Sequence, residues 1–174
     1  MSMNHYDVII IGSGAGGGTL DPHLNYTGQY FQLSYVLYDG LLTFRKADGA
    51  KGNEVVPDLA EACPVVADGG TTLSFTLRDG VRFADGRPVK VQDVAASFRR
   101  MFKVRGPTAA SFFAKLVGAE ACVADPRTCT LDGGVIIDPP ARTITLRLTE
   151  PDAELPQKLS LPLAAILPAD TPPH

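Results

Sequence analysis

The sequence predicts a mixed fold of helices and strands, of the α/β or α+β class, from two alternating segments and one amphipathic segment. Apolar and polar side chains alternate in residues 72–78 and again in residues 143–149, which is the two-residue period of a strand with one buried face. Between them, residues 92–103 place apolar side chains at four-residue intervals, as one side of a helix does. Strands and helices that mix without regular alternation indicate a single α/β or α+β lobe.

Composition allows an ordinary globular core and excludes some classes of partner. The chain has 174 residues, of which 45% are hydrophobic and 20% charged. Its 16 Lys and Arg are scattered among 19 Asp and Glu, giving a formal net charge of −3. This balance argues against a nucleic-acid or anionic-membrane surface. The longest early apolar run, residues 8–11, is too short for a signal peptide or a membrane span, so we expect a cytoplasmic chain as written.

The first twenty residues form a separate leader in this interpretation. The β-branched run at 8–11 enters a glycine-rich segment in which Gly12, Gly14 and Gly17 have the spacing of the dinucleotide-binding fingerprint. The helix that should follow is interrupted by Pro22. Asp39 stands at the distance of a ribose-binding acid, but we discount it because it belongs to another motif.

Residues 6–20 closely resemble the start of the glucose-methanol-choline (GMC) flavin oxidoreductases. The resemblance implies that Gly12, Gly14 and Gly17 would lie against the FAD pyrophosphate. Because the required helix and second strand are missing, we expect a remnant that binds no cofactor. A functional FAD site in an oxidoreductase fragment is the alternative.

The remaining elements follow in chain order. Residues 26–38 predict a helix that is buried around most of its circumference and that ends at Asp39-Gly40. The helix at 92–103 is expected to begin with help from Asp93 and to carry Arg99, Arg100 and Lys103 near its C-terminal end, where cations suit the helix dipole. A short second helix is expected at 111–117.

The three cysteines form no metal-type cluster with histidine, so no metal site is predicted. Cys122 and Cys129 bracket a turn-rich stretch and could close a disulfide worth about 2 to 3 kcal/mol, or could be two independent buried thiols. Cys63 is expected to pack in the interior. His5, His23 and His174 accompany no nucleophile in a recognisable order, so no catalytic residue is predicted.

From residue 19 onward the chain resembles the family 5 extracellular solute-binding proteins. The resemblance rests on four segments in the family's order: Tyr38-Asp39-Gly40-Leu41, residues 56–61, residues 75–86, which read F-x-L-R-x-G-V-x-F-x-D-G, and residues 92–100. The segments around Cys122 and Cys129 look similar to actinobacterial members, which favours the disulfide.

The resemblance implies that residues 21–174 are a truncated first lobe of a periplasmic-binding-protein type II fold. Such proteins hold a peptide or related small solute between two lobes and pass it to an ABC permease. With one wall of the cleft, we expect no tight binding by this chain alone. The residues expected to face the cleft are Asn25, Tyr26, Thr27 and Tyr30, and a core role for the tyrosines is the alternative. The join near Thr19–Pro22 is either natural or an assembly error.

Overall fold

The structure is a computed structural model that describes residues 19–25 and 27–173. Its helices are α1 (Gly28–Leu37), α2 (Val91–Lys103), α3 (Ala109–Phe112), α4 (Ala119–Ala124) and α5 (Leu155–Leu159). Its strands are β1 (Leu42–Phe44), β2 (Val55–Pro57), β3 (Val65–Ala67), β4 (Thr72–Thr76), β5 (Val135–Asp138) and β6 (Thr143–Arg147). The predicted mixed class is confirmed. The leader with Gly12, Gly14 and Gly17 lies outside the described residues.

The main sheet has four antiparallel strands in the order β3-β4-β6-β5, and β1 and β2 form a separate antiparallel pair. Leu73 lies opposite Leu146 and Phe75 opposite Ile144, and all four side chains are buried. Because side chains alternate along a strand, these residues share the core face of β4 and β6. The alternation predicted for the two segments is therefore confirmed.

Helix α2 covers this sheet by packing against β5 and β6. Val94, Phe98 and Met101 are buried on it, and the ring of Phe98 meets that of Phe113 edge to face with centroids 5.7 Å apart. The backbone N–H of Lys90 donates to Asp93 Oδ2 at 2.8 Å. This bond at the first turn confirms that Asp93 helps begin the helix.

Helix α1 lies at the surface, so the prediction that it buries most of its girth is wrong. Ser34 is its one buried residue among those described, and the Val36 side chain is 77% exposed. The apolar side chains of this segment are distributed around the helix and do not form one stripe. Packing on one side therefore leaves several of them in solvent.

Two smaller predictions are also wrong. The helix expected at 111–117 lies at Ala109–Phe112 instead, because the following backbone joins β6: Leu116 bridges Leu148, and the Val117 N–H donates to the Arg147 carbonyl oxygen at 3.0 Å. Cys63 is exposed because it lies just before β3, one of the two edge strands of the main sheet.

The structure joins Cys122 of α4 to Cys129 by a disulfide, with their Cα atoms 4.4 Å apart. Both residues are buried in the core. The intervening loop contains a short 3-10 turn at Pro126–Thr128. Its first turn is closed by Asp125, whose carboxylate accepts from the Arg127 N–H at 3.2 Å.

Candidate ligand-facing surface

The residues predicted to face the cleft lie where the chain enters α1. The side-chain amide of Asn25 donates to the Thr19 carbonyl oxygen at 2.8 Å, and its Oδ1 accepts from the backbone N–H and the hydroxyl of Thr27 at 3.0 and 2.8 Å. The structure thus brings Asn25 and Thr27 together. Tyr30 is half-buried in the first turn of α1, and Tyr26 lies outside the described residues.

A buried ion pair anchors the segment immediately before these residues. Arg100 of α2 donates to both carboxylate oxygens of Asp21, at 3.0 and 2.5 Å, and the two side chains are only 6% and 8% exposed. Burial alone would raise the pKa of Asp21, but hydrogen bonds from Arg100 and the His23 N–H, with the guanidinium charge, hold that pKa below its usual value. The sequence-based placement of Arg100 among the cations at the end of α2 did not anticipate this burial.

His23 completes the cluster and is held as a neutral imidazole. Its Nδ1 lies 3.1 Å from Arg100 Nη1, and its Nε2 lies 3.0 Å from the Ala165 carbonyl oxygen. Because a guanidinium only donates and a carbonyl only accepts, Nδ1 accepts and Nε2 carries the proton. Burial, together with the Arg100 charge, lowers the pKa of His23 to about 4.

A polar stripe on α2 extends this anchoring to the last described segment of the chain. Asp93, Ser97 and Arg100 are spaced at i, i+4 and i+7, so they share one face of the helix, and all three are buried. The Asp93 carboxylate accepts from the Ala169 N–H at 2.9 Å, and Ser97 exchanges hydrogen bonds with both backbone groups of Leu167. Arg100 donates to the Pro172 carbonyl oxygen.

A groove of about 400 Å³ opens beside the C-terminal end of α1. It is lined by Leu37, Tyr38, Asp39, Leu59, Arg82, Phe83, Ala84, Asp85, Val89, Ile166, Leu167 and Pro168. The predicted ligand residue Tyr30 is seven residues before Leu37, about 10 Å along the helix axis. The groove and the predicted residues therefore lie at opposite ends of α1, and the sequence prediction missed the groove.

The groove has an apolar floor and a charged rim. Leu59, Val89 and Ile166 are buried, whereas Asp39 and Arg82 are exposed at its edge. Burial and then the Asp39 charge raise the pKa of the Asp58 carboxyl. Such a surface suits a ligand with apolar side chains and charges of both signs.

In the described part the one histidine, His23, has both ring nitrogens engaged in contacts with Arg100 and Ala165. Within residues 19–25 and 27–173, no cluster of His, Cys, Asp or Glu is arranged to hold a metal ion. None of the helices in this part is long and apolar enough to cross a membrane.

The family profile described as "Bacterial extracellular solute-binding proteins, family 5 Middle" matches residues 54–173. The probable D,D-dipeptide-binding periplasmic protein DdpA of Escherichia coli (strain K12) is 37% identical over 106 residues, covering 60% of this chain and 20% of the relative. The chain thus spans about a fifth of the length of that relative.

Solved structures show the same fold. The pheromone receptor PrgZ superposes with a TM-score of 0.76 at 21% identity, over 90% of this chain and 30% of the receptor. The clavulanic acid biosynthesis oligopeptide binding protein 2 gives a TM-score of 0.71 at 30% identity, over 86% of this chain and 27% of that protein. Both superpositions cover most of this chain and less than a third of the larger protein.

Proposed function

Because the chain belongs to the family 5 bacterial extracellular solute-binding proteins, we propose that residues 21–174 form part of the first lobe of a receptor that delivers peptides or related small solutes to an ABC permease. The observation that carries this proposal is the family match over residues 54–173, within a fold shared with peptide-binding proteins. The relatives are binding proteins, which supports a function without catalysis.

The chemistry of the α1 region supports a peptide-like solute. The names of two similar proteins specify a D,D-dipeptide and oligopeptides. The groove beside α1 combines an apolar floor with carboxylate and guanidinium groups at its edge, which suits peptide side chains and termini. Asn25, Tyr26, Thr27 and Tyr30, at the start of α1, are the proposed contacts at the opposite end of the helix.

One wall of a cleft cannot enclose a ligand. Small-molecule sites bury about 70 to 90% of the ligand surface, and the chain covers only 20% of the first relative's length. The chain by itself should therefore bind solute weakly, and affinity should appear when the second lobe closes over it.

Ligand-induced stabilisation tests this proposal. A chimera in which the rest of the D,D-dipeptide-binding relative follows residue 173 should gain thermal stability with a D,D-dipeptide or short L-peptides, by about 2.7 kcal/mol at a hundredfold excess over Kd. The chain alone should gain almost none. A folded chimera that responds to no peptide would contradict the proposed function.

A matched pair of variants in the chimera tests the contact residues. Tyr30→Ala removes a half-buried ring at the proposed ligand side and should weaken peptide binding, whereas Gln32→Ala changes an exposed side chain on the same helix and should not. Equal affinities for the two variants would remove Tyr30 from the ligand surface.

An oxidising compartment fits the disulfide between Cys122 and Cys129, because such bonds persist outside the cytoplasm. This supports a site of action outside the cytoplasmic membrane, as the family description states. Free-thiol counting on protein recovered from the native host tests it, with one reactive thiol, that of Cys63, as the expected result.

We expect the leader to bind no cofactor, and flavin binding is the alternative, which rests on the spacing of Gly12, Gly14 and Gly17. Purified protein would then show bound-flavin absorbance, and Gly14→Val should abolish it because the pyrophosphate must approach the backbone there. A colourless preparation that ignores added FAD would end this alternative and leave the solute-binding proposal intact.

A further inference from the structure

A second groove, named here the cationic groove, adjoins the groove beside α1 and shares Arg82 and Val89 with it. It has a volume of about 340 Å³ and extends to the start of α2. Four cationic side chains line it, Arg78, Arg82, Lys90 and Arg142, against one acidic side chain, Asp79. A chain with a formal net charge of −3 thus concentrates a local excess of positive charge at one concave surface.

Most of these cations have no carboxylate partner. Arg78 donates to the carbonyl oxygens of Asp58 and Ala60 at 3.2 and 3.3 Å, and Arg82 donates to that of Gly86 at 2.8 Å. Throughout the described ranges, no carboxylate oxygen lies within 4.0 Å of a side-chain nitrogen of Arg78, Arg82 or Lys90. Their charges are therefore available to an anion from outside.

Arg142 is the fourth cation, and one of its nitrogens lacks a hydrogen-bond acceptor. Its Nη2 donates to Glu61 Oε1 at 3.1 Å, and its Nη1 lies 3.4 Å from Asp79 Oδ1. That Nη1 is enclosed, yet it makes no hydrogen bond within the part of the chain that the structure describes. Arg142 therefore adds a guanidinium charge to the groove that is partly balanced by the carboxylates of Glu61 and Asp79.

We propose that the cationic groove binds a small oxyanion of phosphate type. Guanidinium groups offer paired N–H donors that match the oxygens of phosphate, and three arginines with one lysine suit a multivalent anion better than a single carboxylate. The first turn of α2, which begins at Val91 beside the groove, adds the partial positive charge of a helix N-terminus.

The same chemistry is present in free phosphate and in a lipid headgroup. We expect the free anion, because the overall negative charge of the chain opposes approach to an anionic bilayer. Calorimetric titration of the full chain with inorganic phosphate, against chloride at equal ionic strength, measures the first source. Co-sedimentation with phosphatidylglycerol vesicles, against phosphatidylcholine vesicles, measures the second.

The decisive comparison uses two double variants with the same change of net charge. Arg82→Gln with Lys90→Gln removes two exposed cations of the groove, whereas Lys51→Gln with Lys103→Gln removes two exposed cations elsewhere. The groove variant should weaken the binding of phosphate, or of phosphatidylglycerol vesicles, by about tenfold or more, and the control by less than about twofold. Circular dichroism checks that both fold.

If phosphate binds saturably and the groove variant weakens this binding, the site is supported with free phosphate as its ligand. If phosphatidylglycerol vesicles bind and the groove variant weakens this binding, the site is supported with the lipid headgroup as its ligand. The proposal is overturned if neither source binds beyond the effect of ionic strength. It is equally overturned if the two double variants lose affinity alike.

Discussion

Acidification should destabilise this protein through His23, whose pKa is lowered to about 4 from the ordinary 6.5. The imidazole lies between the Arg100 guanidinium and the Ala165 carbonyl oxygen, and both contacts require the neutral Nε2–H form. A second proton on Nδ1 would point at a guanidinium in a buried site. Protonation therefore requires that this contact be broken.

The magnitude follows from the difference in pKa between the two states. Burial lowers the pKa of His23 to about 4 in the folded chain, against 6.5 for the ordinary side chain. Between these values the unfolded chain binds more protons, so stability is fully present above pH 6.5 and falls as the pH drops toward 4. At about 1.4 kcal/mol per pH unit, the loss over this interval is roughly 3 kcal/mol.

Neighbouring groups act in other ranges or in the opposite direction. The pKa of Asp21 is lowered below 3.8, so its contribution persists until the pH falls below that value. The pKa of Asp58 is raised by burial and by Asp39, so protonation of Asp58 favours the folded chain as the pH falls. Asp21 and Asp58 are present in both the parent chain and a variant at position 23. Their contributions therefore cancel in the difference between the two unfolding free energies.

The assay is urea unfolding at several pH values between 7 and 4.5, for the parent chain and for His23→Gln. Glutamine keeps an N–H donor and an oxygen acceptor but takes up no proton in this range. The difference in unfolding free energy between the two proteins should change by about 2 kcal/mol or more over the series. Parallel pH profiles would refute the reasoning, as would an imidazole that titrates near 6.5 in the folded chain.

Covalent and steric features lead to two further predictions. Replacing Cys122 and Cys129 together with serine should lower the unfolding free energy by about 2 to 3 kcal/mol, whereas Cys63→Ser should change it by less than about 0.5 kcal/mol, as measured by denaturant titration. Gly134→Ala should unfold at clearly lower urea than the parent because its Cβ would clash with the Val117 carbonyl oxygen, while Gly28→Ala meets no atom within 4 Å and should stabilise α1 slightly. A Gly134→Ala midpoint equal to that of the parent would contradict this packing.

Local patterns in the sequence predicted the strands and the helix that have one face packed on the core. Strands β4 and β6 alternate cleanly because each has one face on the core, and α2 has an apolar side because it lies on a sheet. Strand β3 escaped prediction because it is an edge strand of three exposed residues without alternation. The strand order β3-β4-β6-β5 also escaped, since β4 and β6 pair across about 70 residues of intervening chain that periodicity does not relate.

The candidate site was less predictable for a different physical reason. Arg100 resembles any cation in the last turn of a helix, and only the tertiary arrangement brings Asp21, 79 residues away, to its guanidinium. One signal was present in the sequence: Asp93, Ser97 and Arg100 repeat at i, i+4 and i+7 in a helix that also has an apolar side. Only the structure shows that this polar face is covered by other segments, because the polar side of an amphipathic helix usually meets water.

The polar stripe on α2, formed by Asp93, Ser97 and Arg100, links the candidate ligand surface to the rest of the lobe. Arg100 holds Asp21 and His23, which precede the proposed contacts Asn25 and Thr27 by only a few residues, and the same guanidinium holds the Pro172 carbonyl oxygen. A charge on His23 would loosen the anchor of the segment that leads into α1. Because binding and protonation would then act on one segment, solute affinity in the completed receptor should fall over the same pH interval in which His23 titrates, and His23→Gln should remove that dependence.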